Sequence, residues 1–327
     1  MSVAFKAGDM VLEYKVLGPI GQGGFSQAYK ALDPEGKMLI LKFPDAFLIG
    51  DPATYERFRR EFTAGQRLNH PAIPRTIAIR EAPEGTFLVQ EFVEGQLLRA
   101  YITEHAPLQV DEALSIARQL AQAIGYLHAN GVYHRDLKPE NIIIGRDGLV
   151  HIIDFGSALM EGSRRVTWRY GSNALGTPDY MAPEQIQGKR GDARTDVYAL
   201  GIILYEMLTG TVPFQGDNAL SVMNQHLTST PESPRKLRPS IPPEVEAIVL
   251  KAIRRDPDER YQSASEFEHD LEHYKDLDVS GFRLGPEKAA GGVLTSRQIW
   301  IRSGIIFFAF IAFTVLIILI VYFTRHR

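Results

Sequence analysis

Apolar residues near the start of the chain gather in short segments at 14–20, 27–32 and 38–43. Gly21-Gln22-Gly23-Gly24 and Asp33-Pro34-Glu35-Gly36 separate them with the turn chemistry of an antiparallel sheet. Residues 55–68 have helical spacing, and 86–92 return to strand. From 111 to 129, Ala113, Ile116, Ala117, Leu120, Ile124 and Leu127 fall on one helical face, with Asp111 placed as the N-cap. Residues 196–208 form another apolar helix. A strand-rich first part and a helix-rich second predict an α+β fold of two lobes.

The last apolar stretch is of a different kind. Residues 303–323 read SGIIFFAFIAFTVLIILIVYF, without a charge, and only Ser303, Thr314 and Tyr322 carry polar side-chain atoms. At about 1.5 Å per residue a helix of this length spans roughly 30 Å, the thickness of a bilayer's hydrocarbon core. Trp300 and Tyr322 sit where interfacial aromatics belong, and Arg302, Arg325 and Arg327 put charge at the two ends. Being apolar on every face, long and last, the segment predicts a single transmembrane helix rather than a core helix. Before it, 276–302 holds Gly281, Gly285, Pro286, Gly291 and Gly292 without periodicity and reads as a flexible linker. As a coil its reach is about 25 to 30 Å, which keeps the body close to the membrane. The first ten residues carry Lys6 and Asp9 and lack an apolar run of signal-peptide length.

Composition narrows the chemistry. With 327 residues, 45% hydrophobic and 23% charged, the chain can bury a large core divided over two lobes. A formal net charge of -3 offers no basic field for nucleic acid. The absence of cysteine removes disulfides, thiolate metal sites and cysteine nucleophiles together.

The chemistry concentrates at His134-Arg135-Asp136-Leu137-Lys138-Pro139-Glu140-Asn141 and, a short strand later, Asp154-Phe155-Gly156. These segments supply one candidate proton acceptor and two candidate magnesium ligands, the parts needed to transfer a phosphoryl group to a hydroxyl. Either run alone would pass for a polar turn; together and in this order they point to a site. Lys42 ends the apolar segment Leu39-Ile40-Leu41, where a lysine is rarely buried without a partner.

From about residue 12 to 274 the chain resembles a eukaryotic-type protein kinase domain of the bacterial serine/threonine kind. The matches are His-Arg-Asp at 134–136, Asp-Phe-Gly at 154–156, Ala-Pro-Glu at 182–184, the glycine loop, Lys42 and Arg260. The resemblance implies a two-lobed kinase fold, with a small antiparallel-sheet lobe plus one helix at 12–92 and a larger helical lobe at 93–275. The linker 276–302, the span 303–323 and a tail at 324–327 complete the predicted organisation.

What the resemblance implies for each residue has a physical reason. Asp136 would accept the substrate hydroxyl's proton and Lys138 would neutralise the transferring phosphoryl group. Asn141 and Asp154 would hold magnesium, or manganese, through hard oxygen ligands. Lys42 would meet the α and β phosphates of ATP and pair with a glutamate on the 55–68 helix; Glu61 has the family's spacing and Glu56 lies one face away. Ile20, Gly21, Gly23, Gly24, Ala28, Ile40, Glu91, Val93 and Ile143 would complete the nucleotide pocket. Three positions depart from the family: Ser26 replaces the third loop glycine, Ala28 the usual valine and Ile40 the usual alanine. The last two share the adenine roof, so the larger Ile40 is expected to use the room that Ala28 leaves.

Residues 176–184, Gly-Thr-Pro-Asp-Tyr-Met-Ala-Pro-Glu, resemble the peptide-docking loop of serine/threonine kinases, in which Thr177 would touch Asp136 and Lys138. Glu140 hints at a taste for basic residues before the acceptor. Arg135, directly before Asp136, can receive a phosphate placed on the loop 157–175, where Ser163, Thr167 and Ser172 lie among Arg164, Arg165 and Arg169. Glu184, Asp196 and Arg260 read as structural ties of the large lobe. The implied protein is a membrane-anchored serine/threonine kinase with its catalytic body in the cytosol, acting on protein substrates and self-associating transiently for phosphorylation in trans. The alternative is a membrane-tethered pseudokinase scaffold, against which Lys42, Asp136, Asn141 and Asp154 argue.

Overall fold

Alternation of apolar and polar positions divides the first strands between a buried face and a cleft face. The computed structural model describes residues 5–22, 26–44, 61–63, 65–155, 158–160 and 178–280, all within the first of the two units into which the chain divides, Met1–Glu287 and Lys288–Arg327. Strands β1 (Met10–Val11), β2 (Tyr14–Gln22), β3 (Ser26–Leu32), β4 (Met38–Pro44), β5 (Thr76–Ala82) and β6 (Gly85–Glu91) form an antiparallel sheet ordered β1-β2-β3-β4-β6-β5. Leu39, Leu41 and Phe43 of β4 turn to one face and pack with Val16, Tyr29, Ala31 and Phe87 into a small core. Ile40 and Lys42 turn the other way, opposite Lys30 and Ala28 of β3.

Phe5 and Val11 belong to the same core, so the small lobe begins before residue 12. Two strands of this sheet were not predicted by the periodicity, the short β1 and β5, and the burial of β5 alternates poorly and leaves Ile77 46% exposed. Of the predicted 55–68 helix, residues 61–63 and 65–67 are helical and the first part lies outside the described residues. Leu68, Ala72 and Ile73, which follow this helix, pack into the larger core, and the Ile152 N–H donates to the Ala72 carbonyl at 2.8 Å.

In the large lobe, strand β7 (Gly95–Leu97) leads into α1 (Leu98–His105) and then α2 (Val110–Ala129). The six apolar residues expected on one face of α2 are all buried. Its cap differs from the prediction: the Ala113 N–H bonds the Gln109 carbonyl at 2.9 Å, so the helix starts earlier, Gln109 is the N-cap and Asp111 lies inside the first turn. Helix α3 is Pro183–Ile186, and α4 is Ala193–Thr209. The Asp192 side chain accepts from the Arg194 N–H, which carries α4 three residues upstream of the apolar run that predicted it. Helices α5 (Ala219–Thr228), α6 (Pro234–Leu237), α7 (Pro243–Ala252) and α8 (Ala264–Glu272) complete the lobe. Leu277 still packs on this core at the start of the predicted linker. Among the described residues no helix is long and apolar enough to cross a membrane, and the predicted span 303–323 lies outside them.

One buried ion pair ties α3 to the base of the lobe. Arg260 donates to both oxygens of Glu184 at 2.9 and 2.8 Å, and its remaining N–H groups reach the carbonyls of Arg254, Arg194 and Arg255. All five donors of the guanidinium are used. Burial alone would raise the Glu184 carboxyl, but the hydrogen bonds and charge of Arg260, with help from Thr195, hold it below the usual range.

The Arg260→Met variant leaves Glu184 buried without its partner, and a loss of about 3 to 5 kcal/mol of stability is expected from thermal or denaturant melting. Because the folded Glu184 pKa is depressed, the pair's contribution is full above pH 4.5 and falls as pH drops through the folded value; the gap between wild type and variant should therefore narrow below pH 4.5.

Candidate active site

Strand β8 (Val132–Tyr133) ends at a loop that one buried carboxylate organises. Asp196, in the first turn of α4 and 1% exposed, accepts the His134 N–H at 2.9 Å, the Arg135 N–H at 2.7 Å and a His128 ring contact at 2.8 Å. Burial would raise this carboxyl, yet His128, His134 and the Arg135 amide hold it below the usual range. Arg135 sits in the left-handed region at φ 65°, a conformation that costs a non-glycine residue energy and that the Asp196 bond sustains. Gln185 of α3 donates to the Arg135 carbonyl at 2.8 Å and closes the loop from its other side.

The loop presents Asp136 half-exposed, with Lys138 Nζ 3.2 and 3.1 Å from its two oxygens. A 3-10 turn, Pro139–Asn141, then enters the hairpin of β9 (Ile142–Gly145) and β10 (Val150–Ile152). Their register, continued by the Ile153 N–H to the Asn141 carbonyl at 2.8 Å, sets Asp154 beside Asn141 across the hairpin's open end. Asp154 also holds a left-handed backbone, at φ 68°.

Lys42 reaches this point from the small lobe. Its Nζ lies 2.7 and 2.9 Å from the Glu61 oxygens and 3.0 Å from Asp154 Oδ1. Burial would lower the ammonium, but Asp154 and Glu61 together hold it above its ordinary value. Glu61, 3% exposed, is pushed above the usual carboxylate range by burial, which the Lys42 charge and its hydrogen bonds only partly oppose. Spacing chose Glu61 over Glu56, and the geometry brings Glu61 to Lys42.

Of the expected nucleotide residues, Ala28, Ile40 and Lys42 share one face of β3 and β4. Ala28 pairs with Lys42 and Ile40 with Lys30, so Ala28 and Ile40 are diagonal neighbours on the cleft side of β3 and β4, both half-buried. Ile20, 51% exposed, and Gly21 lie at the cleft end of β2, with Gly21 in register with Ala28. Glu91 ends β6 in register with Leu39, Val93 follows it, and Ile143 of β9 pairs with Leu97. At Gly95 a Cβ would stand 2.2 Å from the Ile144 carbonyl, so only glycine lets these two strands meet below the pocket. Ser26 opens β3 half-buried; Gly23 and Gly24 lie outside the described residues.

The oxygen set suits a hard divalent cation. Asn141, 6% exposed, donates its amide N–H to the Asp136 carbonyl at 2.8 Å, so that its amide oxygen would join the Asp154 carboxylate as a metal ligand. No cluster of three His, Asp or Glu side chains gathers among the described residues. Two protein oxygens completed by phosphate and water are what magnesium accepts.

Sequence reasoning missed a second network. Arg99 of α1 donates to Glu140 and to Glu206 of α4 at 2.6 Å each, and also contacts the Tyr180 hydroxyl, which bonds Glu206. The Glu140 carboxylate expected to attract basic residues is therefore already paired within the chain. Gln90 was missed as well; it donates to Glu61 Oε1 at 3.2 Å, and a polar residue after Phe87-Leu88-Val89 was its only trace in the sequence. Ser163, Thr167, Ser172 and Thr177 lie outside the described residues.

Residues 14–271 match the protein kinase domain family. The chain is 39% identical over 269 residues to the serine/threonine-protein kinase PrkC of Bacillus subtilis, covering 81% of this chain and 41% of that protein. It is 38% identical over 259 residues to the serine/threonine-protein kinase PknB of Mycobacterium tuberculosis, covering 77% and 41%. The chain thus spans about two fifths of the length of these curated relatives. The kinase domain of Mycobacterium tuberculosis PknI superposes with a TM-score of 0.65 at 24% identity, covering 84% of this chain and all of that one, a likeness of fold.

As diagonal neighbours on one face, Ala28 and Ile40 are expected to have interdependent effects on adenine-nucleotide affinity. Ile40→Ala and Ala28→Val should each weaken binding, and the double variant should recover about 1 kcal/mol relative to the sum; additive effects in equilibrium titrations would sink the idea.

Proposed function

This chain belongs to the protein kinase domain family, and from that premise we propose that it transfers the γ-phosphoryl group of ATP to serine and threonine hydroxyls of proteins. The observation that carries the proposal is the three-way contact of Lys42 with Glu61 and Asp154. A scaffold without turnover has no use for an ammonium poised between a small-lobe carboxylate and a metal ligand. That contact weighs against the pseudokinase alternative, as does an intact set of Asp136, Lys138 and Asn141.

Asp136, half-exposed, is oriented to take the proton of an acceptor hydroxyl as its oxygen attacks. Lys138 beside it offsets charge on the transferring group, and Lys42 fixes the α and β phosphates from above. Magnesium, when bound to Asn141 and Asp154, would neutralise the phosphates and hold them in line. Serine and threonine are the proposed acceptors because both named relatives are serine/threonine-protein kinases and because Lys138 stands in the catalytic loop.

Two further parts of the reading rest on sequence. The uncharged stretch 303–323 is proposed to anchor the kinase in a membrane with its body on the cytosolic side, where ATP is found. Confinement to a surface raises encounters between copies and favours phosphorylation in trans at Thr167 or Ser172. Arg135, whose backbone is fixed by Asp196 and Gln185 next to the base, is the proposed receiver of that phosphate.

Labelled ATP with a generic protein substrate tests the central claim. Asp136→Asn should lose at least about a hundredfold in turnover while melting as the wild type does; equal turnover of the two proteins would refute the assignment. Phosphopeptide mapping after incubation with Mg-ATP is expected to find modification within 157–175, and a fully active enzyme with an unmodified loop would end the proposal for that loop.

A further inference from the structure

Lys42 makes three carboxylate contacts, two to Glu61 and one to Asp154. A phosphate oxygen that reaches this ammonium competes with those carboxylates for its hydrogens. If Glu61 yields one of them, a carboxylate that is 3% exposed is left with fewer donors, which is costly unless another group supplies one.

Gln90 is that other group. It sits on β6 between two neighbours in register, Ile40 of β4 and Thr76 of β5, on the face that carries the cleft. Its Nε2 lies 3.2 Å from Glu61 Oε1 and 3.3 Å from Thr76 Oγ1, and Thr76 is itself 7% exposed. One helical turn beyond Glu61, a Cβ on Gly65 would stand 2.0 Å from Thr76 Oγ1. The helix therefore meets the sheet at adjoining points, with Gly65 against Thr76 and Glu61 against Gln90.

We propose that Gln90 is a positioning residue whose amide holds the Glu61 carboxylate toward Lys42, so that the ion pair survives when a phosphate claims part of the ammonium. The inference rests on the proposed role of Lys42 as a contact of nucleotide phosphates. A residue that merely filled space at position 90 would be replaceable by any side chain of like volume. One that holds Glu61 is sensitive to the donor and indifferent once the acceptor has changed.

Three variants of the full chain separate these roles: Gln90→Met removes the donor at similar length, Gln90→Glu sets a second carboxylate against Glu61 at the same shape, and Gln90→Met in a Glu61→Met background removes the donor after its acceptor. Without nucleotide, backbone amide exchange in the Glu61 helix should quicken about tenfold in Gln90→Met, the worth of one hydrogen bond to a charged group, and further in Gln90→Glu. Mg-ATP affinity by calorimetric titration should fall in the same order, about tenfold for Gln90→Met. In the Glu61→Met background Gln90→Met should change neither quantity.

Equal effects of methionine and glutamate, an undiminished effect in the Glu61→Met background, or exchange unchanged in Gln90→Met would each overturn the proposal. If Gln90→Glu does not fold, the methionine substitution in the two backgrounds still decides. A wild type that binds no Mg-ATP would bring down the functional reading, and the exchange series would then decide the role of Gln90 alone.

Discussion

A carboxylate with almost no contact with water holds the catalytic loop in place. Asp196 starts from a deficit, because burying a charge is expensive, and recovers it through the amides of His134 and Arg135 and the His128 ring. Those same bonds keep Arg135 in a backbone conformation that an isolated peptide would leave. Asp136, Lys138 and Asn141 then follow in fixed directions. The long apolar helix α4 supplies the rigidity: most of its residues are buried, so Asp196 cannot drift without disturbing the core.

A second layer of order concerns charge. Lys42 serves Glu61 and Asp154 at once, so two carboxylates compete for one cation in a buried place. Such an arrangement has electrostatic room for a further cation near Asp154, which the oxygens proposed to hold magnesium would suit. On the other side of the catalytic loop, Arg99 plays the opposite part, neutralising Glu140 and Glu206 from within the chain.

The parts legible in the sequence are those whose meaning is local. His134 to Asn141 and Asp154 act through short spacing, and Glu61 could be chosen because it stands at the spacing of the family the chain resembles. The buried face of α2 was readable for the same reason, while its cap was not: Asp111 has the right chemistry, but tertiary packing started the helix at Val110. Strand β5 escaped because a half-exposed strand alternates weakly. Gln90, Thr76 and Arg99 have partners that lie across strands or on separate helices, and no periodicity records such a neighbour. The pairing of Glu140 with Arg99 escaped for a related reason, since Arg99 is 41 residues away.

The segment that leaves the Glu61 helix has a mechanical consequence. Leu68, Ala72 and Ile73 are built into the core of the large lobe, while Glu61, a few residues earlier, is clasped to the sheet of the small one. The helix is thus a lever with its fulcrum in one lobe and its working end in the other. A rotation of one lobe on the other therefore has to be taken up either in the few residues between Glu61 and Leu68 or at the ion pair itself. To the extent that this stretch is stiff, opening of the cleft and strain on the Lys42–Glu61 pair are one coordinate of motion rather than two.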